Sequence, residues 1–226
     1  MQTVLNPHPT ELEVIYDTLL VPSFRDEQME SLEEILAGVR AKTIYVIAMK
    51  DEKHGYVAVT VNYWYAKDRT LLLAYLAVSP KMRGNGLGTS LVFDSGTYLE
   101  IELKPALILC EANDPDFDTM SENYGDPVRR LSFYKDMGAR IVDVPYFQAS
   151  YDYPVTMVNM YLLVLPGKYM ETSTAFNENR EIRSRTIHDF FLSYMETDTE
   201  PDEDPEFTAL FNSLKRPWIP TREIEV

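Results

Sequence analysis

Arg83-Gly84-Asn85-Gly86-Leu87-Gly88-Thr89 is the stretch whose residue types and spacing best suit chemistry, and that chemistry is the holding of an anion. Upstream, Leu71–Val78 is an unbroken apolar run, the pattern of a strand buried on both faces. Ser79-Pro80 follow, and Pro80 cannot donate to a sheet ladder, so the strand must stop there. Downstream, Leu87, Leu91, Val92, Tyr98 and Leu99 recur at roughly helical spacing. A strand that feeds a glycine turn at a helix start offers backbone N–H groups and the positive end of the helix dipole to an anion. The glycines allow left-handed angles and the close approach of a phosphate. Three phosphate-binding patterns compete. The P-loop needs Lys-Ser/Thr after its last glycine, whereas Gly88 is followed by Thr89-Ser90. In the dinucleotide fingerprint G-x-G-x-x-G, Gly84 and Gly86 fit but Thr89 holds the third place. The pattern R/Q-x-x-G-x-G/A is satisfied by Arg83, Gly86 and Gly88.

Together with Leu76-Ala77-Val78-Ser79-Pro80, that third pattern resembles the acyl-CoA site of the GNAT (GCN5-related) N-acetyltransferases. The resemblance implies that the backbone from Arg83 through Gly84, Asn85, Gly86, Leu87 and Gly88 to Thr89 holds the pyrophosphate of acetyl-CoA. It also implies that the strand end at Leu76, Ala77 and Val78 pairs with the pantetheine arm and polarises the thioester carbonyl. A second segment, Phe133-Tyr134-Lys135-Asp136-Met137-Gly138-Ala139-Arg140, resembles the family's F/L-Y-x-x-x-G-F/A segment. On that resemblance Tyr134 sits beside the cofactor sulfur as general acid, and a phenol of pKa about 10 suits a departing thiolate.

Two positions depart from the family. Its glutamate just before the central L-x-V is Tyr75 here, so the base must come from elsewhere. Glu111, at the end of the neighbouring ALILCEA strand, is the best substitute, acting directly or through water, because partial desolvation raises a carboxylate toward a useful base. The family's asparagine seven residues before the tyrosine is Pro127, with Arg130 where a small residue is usual; Asn113 is the available replacement.

These residues need a scaffold, and the patterning supplies one. A helix is expected over 10–21, with Thr10 as N-cap, and a second over Asp26–Ala41. Strands Thr43–Met49 and Gly55–Tyr65 follow, joined by a polar hairpin connection, and Lys67-Asp68-Arg69 turns into the central strand. After the glycine-turn helix come the ALILCEA strand, an acidic loop over Asn113–Asp126, and a short helix opened by Pro127 and closed by Gly138. Two last strands, Arg140–Ala149 and Val155–Leu165, are joined by a turn at 150–154. This order gives an α/β (α+β) class and matches the GNAT acyl-CoA N-acyltransferase fold, a central mixed, mostly antiparallel sheet flanked by helices. The expected organisation is a catalytic domain over 1–166 and a helical C-terminal extension over 167–226. In the extension, Ile187, Phe190, Phe191, Tyr194 and Met195 share a helical face within Asn177–Met195. An acidic linker follows at Glu196–Thr208, then a last helix at Phe207–Leu214. The apolar stripe must bury, either back on the domain or in a homodimer contact.

Composition narrows the partners. With 45% apolar and 12% aromatic residues in 226, the chain is globular. A net charge of −15 argues against nucleic acid and against anionic membranes. The N-terminus lacks a basic region followed by an apolar one, and no apolar run reaches about 18 residues, so a cytoplasmic location is expected. The single cysteine, Cys110, excludes an internal disulfide and suits a buried apolar role. His8, His54 and His188 lie in different elements and make no metal-ligand spacing with it, so no metal is expected. Asp114, Asp116, Asp118, Glu122 and Asp126 would draw a cationic amine toward Glu111. The expected activity is direct transfer of an acetyl group from acetyl-CoA to a primary amine, of a small molecule or a protein. The rival is a non-catalytic acyl-CoA-binding sensor whose tail contacts a partner.

Overall fold

The computed structural model describes residues 1–117, 125–148, 159–168, 173–196 and 205–226. They form two compact units. The first is built chiefly from Met1–Trp64 and Leu71–Leu103; the second takes Tyr65–Thr70 and the described residues of 104–119 and 126–226.

In the first unit the strands β1 (Gln2–Leu5), β2 (Ile44–Asp51), β3 (Gly55–Tyr65) and β4 (Thr70–Val78) lie in sequence order. Both β1–β2 and β2–β3 are antiparallel, with Val4 opposite Ala48 and Ile47 opposite Thr60. The β2–β3 hairpin closes on Asp51, whose Oδ1 accepts the backbone N–H groups of Lys53 and His54 at 3.0 Å each. Strand β1 is not announced by the sequence, because four residues are too few to show alternation. Alternate residues of the sheet, among them Val46, Ala48, Val59, Val61, Tyr75 and Ala77, pack under Leu12, Ile15, Leu20 and Ile35. Those four come from α1 (Pro9–Ile15), the π-turn Tyr16–Leu20 that continues it, and α2 (Leu32–Ala41).

Both helix starts differ from expectation, for one reason. The N-cap of α1 is His8, not Thr10, with Pro9 in the first turn and Glu11 bonding back to the cap. The helix expected from Asp26 begins only at Leu32, because Ser31 and Glu34 form the same reciprocal box and Met29 is extended. A single 3₁₀ turn, Asp26–Gln28, is all that forms upstream. Capping boxes, rather than the apolar stripe, set these boundaries. After β4 a 3₁₀ turn, Pro80–Met82, leads through the glycine turn into α3 (Leu87–Leu103).

In the second unit β5 (Leu107–Asn113), β6 (Arg140–Val142), β7 (Met160–Val164) and β10 (Thr221–Arg222) run β5-β7-β6-β10, each pair antiparallel. Helix α4 (Pro127–Asp136) has Asp126 as N-cap, accepting the Val128 N–H at 2.9 Å. Of the two strands expected around 140–165, the first appears as the shorter β6, and β7 occupies Met160–Val164 of the second. Strand β6 ends where Val144 N–H turns back to the Val142 carbonyl at 2.9 Å. The turn expected at 150–154 lies outside the described residues.

The C-terminal segment belongs to this second unit. Strands β8 (Ile182–Arg183) and β9 (Trp218–Ile219) pair, and β10 joins the sheet edge at β6. Between them lie α5 (Ser184–Tyr194) and α6 (Pro205–Ser213). The helix expected from Asn177 starts only at Ser184, because the Asn177 side chain caps a turn, accepting the N–H groups of Asn179 and Glu181. Ile187, Phe190 and Phe191 are buried within the unit. Phe190 meets Tyr65 edge-on at 5.3 Å, and Phe191 meets Tyr146 at 5.8 Å. The fold is thus mixed α/β, a mostly antiparallel sheet flanked by helices. Among the described residues no helix is long and apolar enough to cross a membrane.

Candidate active site

The glycine turn stands at the end of β4 as the residue types require. Gly84 and Gly86 take left-handed angles, φ +80° and +74°. A Cβ at either would meet nothing within 4 Å. Backbone angle, not crowding, therefore demands glycine, and the space in front of the turn is open. Arg83 to Gly86 are exposed, as is Thr89, while Leu87 and Gly88 are half-buried. Ser90 N–H bonds the Gly86 carbonyl at 3.0 Å, so the helical ladder starts there and the N–H groups of the first turn have no partner in the helix. Arg83 Nε donates to the Val78 carbonyl at 3.0 Å, tying the turn to the strand end. Ala77 is buried, and Leu76 and Val78 are half-buried. An exposed, left-handed turn on the N-terminus of a 17-residue helix fits a pyrophosphate.

Tyr75, in the place of the family glutamate, has a different task. Its hydroxyl donates to the Gln28 carbonyl at 3.1 Å and accepts the Glu30 N–H at 3.2 Å, and its ring meets Phe24 edge-on at 5.1 Å. It pins the segment before α2 to β4.

In the second unit the structure brings Tyr134 and Glu111 near the same strand. Tyr134 is buried on α4, and Gly138 (φ +79°) lets the chain reverse so that Ala139 N–H reaches the Tyr134 carbonyl at 3.0 Å. The four-residue offset from tyrosine to glycine is therefore a helix-ending motif that fixes the tyrosine's backbone. Burial pushes the phenol well above its usual range, with Cys110 adding to the rise, Arg130 opposing it and Glu111 adding a smaller part. Arg130, one turn before Tyr134, donates from Nη1 to Asn113 Oδ1 at 2.9 Å. Cys110 is fully buried, and burial raises its thiol as well.

Glu111 is half-buried on β5, opposite Leu162. Burial raises its carboxyl above the ordinary value, against the hydrogen bonds it accepts from Tyr146 and Tyr194. Both hydroxyls reach the same oxygen, Oε1, that of Tyr194 at 3.3 Å. Successive strand residues face opposite sides of a sheet, so Cys110 and Glu111 do too. Sequence patterning missed both tyrosines: Tyr146 follows a strand that ends early, and Tyr194 reads there as one more apolar residue of a helix stripe.

Two carboxylates of the acidic loop have structural partners. Asp114 is buried and accepts the Asp116 N–H at 3.0 Å and the Tyr161 hydroxyl, while Asp126 caps α4. Asp118 and Glu122 lie outside the described residues. Among the described residues no group of three or more His, Cys, Asp or Glu could hold a metal ion.

Comparison with known proteins bears on the fold. A family model described as "Acetyltransferase (GNAT) family" matches residues 10–94. No curated protein matches the sequence. Among solved structures, an acetyltransferase of the GNAT family from Bacteroides thetaiotaomicron aligns at TM-score 0.54 and 20% identity, over 76% of this chain and 93% of that one. Naa20 of Chaetomium thermophilum, solved with a bisubstrate analogue, aligns at 0.52 and 15% identity, over 79% and 93%. The spermidine/spermine N-acetyltransferase SpeG of Vibrio cholerae aligns at 0.50 and 13% identity, over 76% and 98%. At these identities the structural likeness establishes the fold alone, and the acetyltransferase family model covers residues 10–94. Residues 10–94 match the model of the GNAT acetyltransferase family, and the chain has the GNAT fold.

Proposed function

We propose that the protein transfers the acetyl group of acetyl-CoA directly to a primary amine. The observation that carries this reading is the exposed left-handed turn at Gly84 and Gly86 on the N-terminus of α3, which suits a pyrophosphate. In this reading the backbone of Arg83–Thr89 holds the pyrophosphate, and the strand end at Leu76, Ala77 and Val78 orients the arm beyond it. Bound there, acetyl-CoA supplies a thioester carbonyl as acyl donor.

Glu111 takes the proton of the attacking amine. Its raised pKa makes it a stronger base than an exposed carboxylate. Tyr134 gives its hydroxyl proton to the departing sulfur. Because burial raises the phenol, the proton stays on Tyr134 throughout the neutral range and passes to sulfur only as the C–S bond breaks and that bond's electron pair stays on sulfur. The net charge of −15 favours a cationic acceptor. Polyamines are the first to screen, since SpeG, which shares the fold, is named for spermidine and spermine; other small amines and peptide amines follow.

The test is calorimetric titration with acetyl-CoA, with ATP and NAD as controls, followed by thiol release on adding each amine. Saturable binding of acetyl-CoA alone is expected. A folded protein that fails to bind it would reduce the turn to a structural feature and overturn the reading.

A further inference from the structure

We propose that Tyr146 and Tyr194 are positioning residues for Glu111, holding one carboxylate oxygen and setting its proton affinity, so that the C-terminal helix α5 completes the site. The inference rests on the reading of Glu111 as the base.

The geometry starts from the two hydroxyls. Tyr146, in the segment after β6, and Tyr194, the last residue of α5, both donate to Glu111 Oε1. They come from positions 35 and 83 residues along the chain from Glu111, so only the folded unit brings them together. Among the described residues no hydrogen bond reaches Oε2. One oxygen is thus clamped and the other is left to accept a proton. As the amine N–H bond breaks, its electron pair stays on nitrogen and the proton forms an O–H bond at Oε2.

The fold fixes where Tyr194 stands. Ser193 Oγ donates to Asp68 Oδ2 at 2.6 Å, Tyr65 lies 5.3 Å from Phe190 and 6.5 Å from Tyr194, and Phe191 stacks obliquely on Tyr146 at 5.8 Å. These contacts would hold both rings in place if the hydroxyls were removed. Hydroxyls for which packing has no need, converging on one carboxylate oxygen, point to control of that carboxylate. Two phenol donors favour the anion and oppose the desolvation that burial imposes. The other titratable groups that interact electrostatically with Glu111 are Tyr134 on α4 and Cys110, its neighbour on β5.

The experiment uses the full chain with Tyr146→Phe, Tyr194→Phe and the double variant. The titration of Glu111 is read directly by NMR of glutamate labelled with ¹³C at the carboxyl carbon, its signal assigned by its loss in Glu111→Gln. Each single variant should raise the Glu111 titration by about one pH unit, and the double variant by more. Melting temperatures at pH 4, where Glu111 is protonated in every form, should stay near that of the wild type, which separates this effect from misfolding. A Glu111 titration unmoved in all three variants overturns the proposal. The pH dependence of acetyl transfer to spermidine is the second readout, and its acid limb should rise with the titration. If the titration rises and the limb stays, the positioning role stands and the reading of Glu111 as base falls.

Discussion

Replacing Glu111 with Gln should make the protein more stable and nearly inactive. The carboxyl is half-buried, and desolvation outweighs the two phenol hydrogen bonds, so the folded chain binds the proton more tightly than the unfolded chain does. Stability from this group is then fully present below the ordinary carboxylate value of 4.5 and is lost as pH rises through the elevated folded value. Each pH unit between the two titrations is worth about 1.4 kcal/mol. A chain of this size gains roughly 2–4 °C in Tm per kcal/mol, so each such unit gives a difference of about 3–6 °C. Glutamine keeps the shape and an oxygen for Tyr146 and Tyr194 to bond, while it removes the charge. The assay is thermal melting of both proteins from pH 4 to pH 8. The curves should coincide at pH 4 and part as the wild type ionises, with the variant higher at pH 8. Turnover at pH 8 should fall by about 10²–10⁴, the usual worth of a general base. A Tm difference that does not change with pH would refute the account of Glu111, whatever happened to activity.

Removing the hydroxyl in Tyr134→Phe should lower kcat by on the order of 10² with acetyl-CoA affinity little changed, as steady-state kinetics and calorimetry would report. Gly86→Val places a β-branched residue at φ +74° and a side chain in the open face of the turn. It should abolish acetyl-CoA binding in titration and cost on the order of 1–2 kcal/mol by chemical denaturation. Phe190→Ala, at a side chain with no exposed surface, should destabilise the fold by about 3–5 kcal/mol. It should also loosen the Tyr194 end of α5.

How much of this was legible in the sequence depends on how local the cause is. The strand, proline, glycine turn and helix read from Leu71 to Leu99 follow from neighbouring residues, and the structure has them in that order. The pair Pro127 and Gly138 likewise marks both ends of the α4 region, since each acts through its own backbone angle. Helix starts were misplaced where a capping box overruled the apolar stripe, at His8 and at Ser31. Short strands such as β1, β8, β9 and β10 draw their stability from partners far along the chain, so nothing local announces them. The same holds at the candidate site. Tyr134 carries a local signature in its offset to Gly138, whereas Tyr146 and Tyr194 gain their meaning only from the oxygen they share.

Burial acts on both proposed proton carriers, with different results. It keeps the proton on the Tyr134 phenol throughout the neutral range, so the group that is to give a proton still holds it. At Glu111 the same burial works against the group's task, because a carboxyl raised too far stays protonated and cannot accept. The hydroxyls of Tyr146 and Tyr194 oppose that rise by favouring the anion. A base in a desolvated place needs such donors, whereas the acid does not.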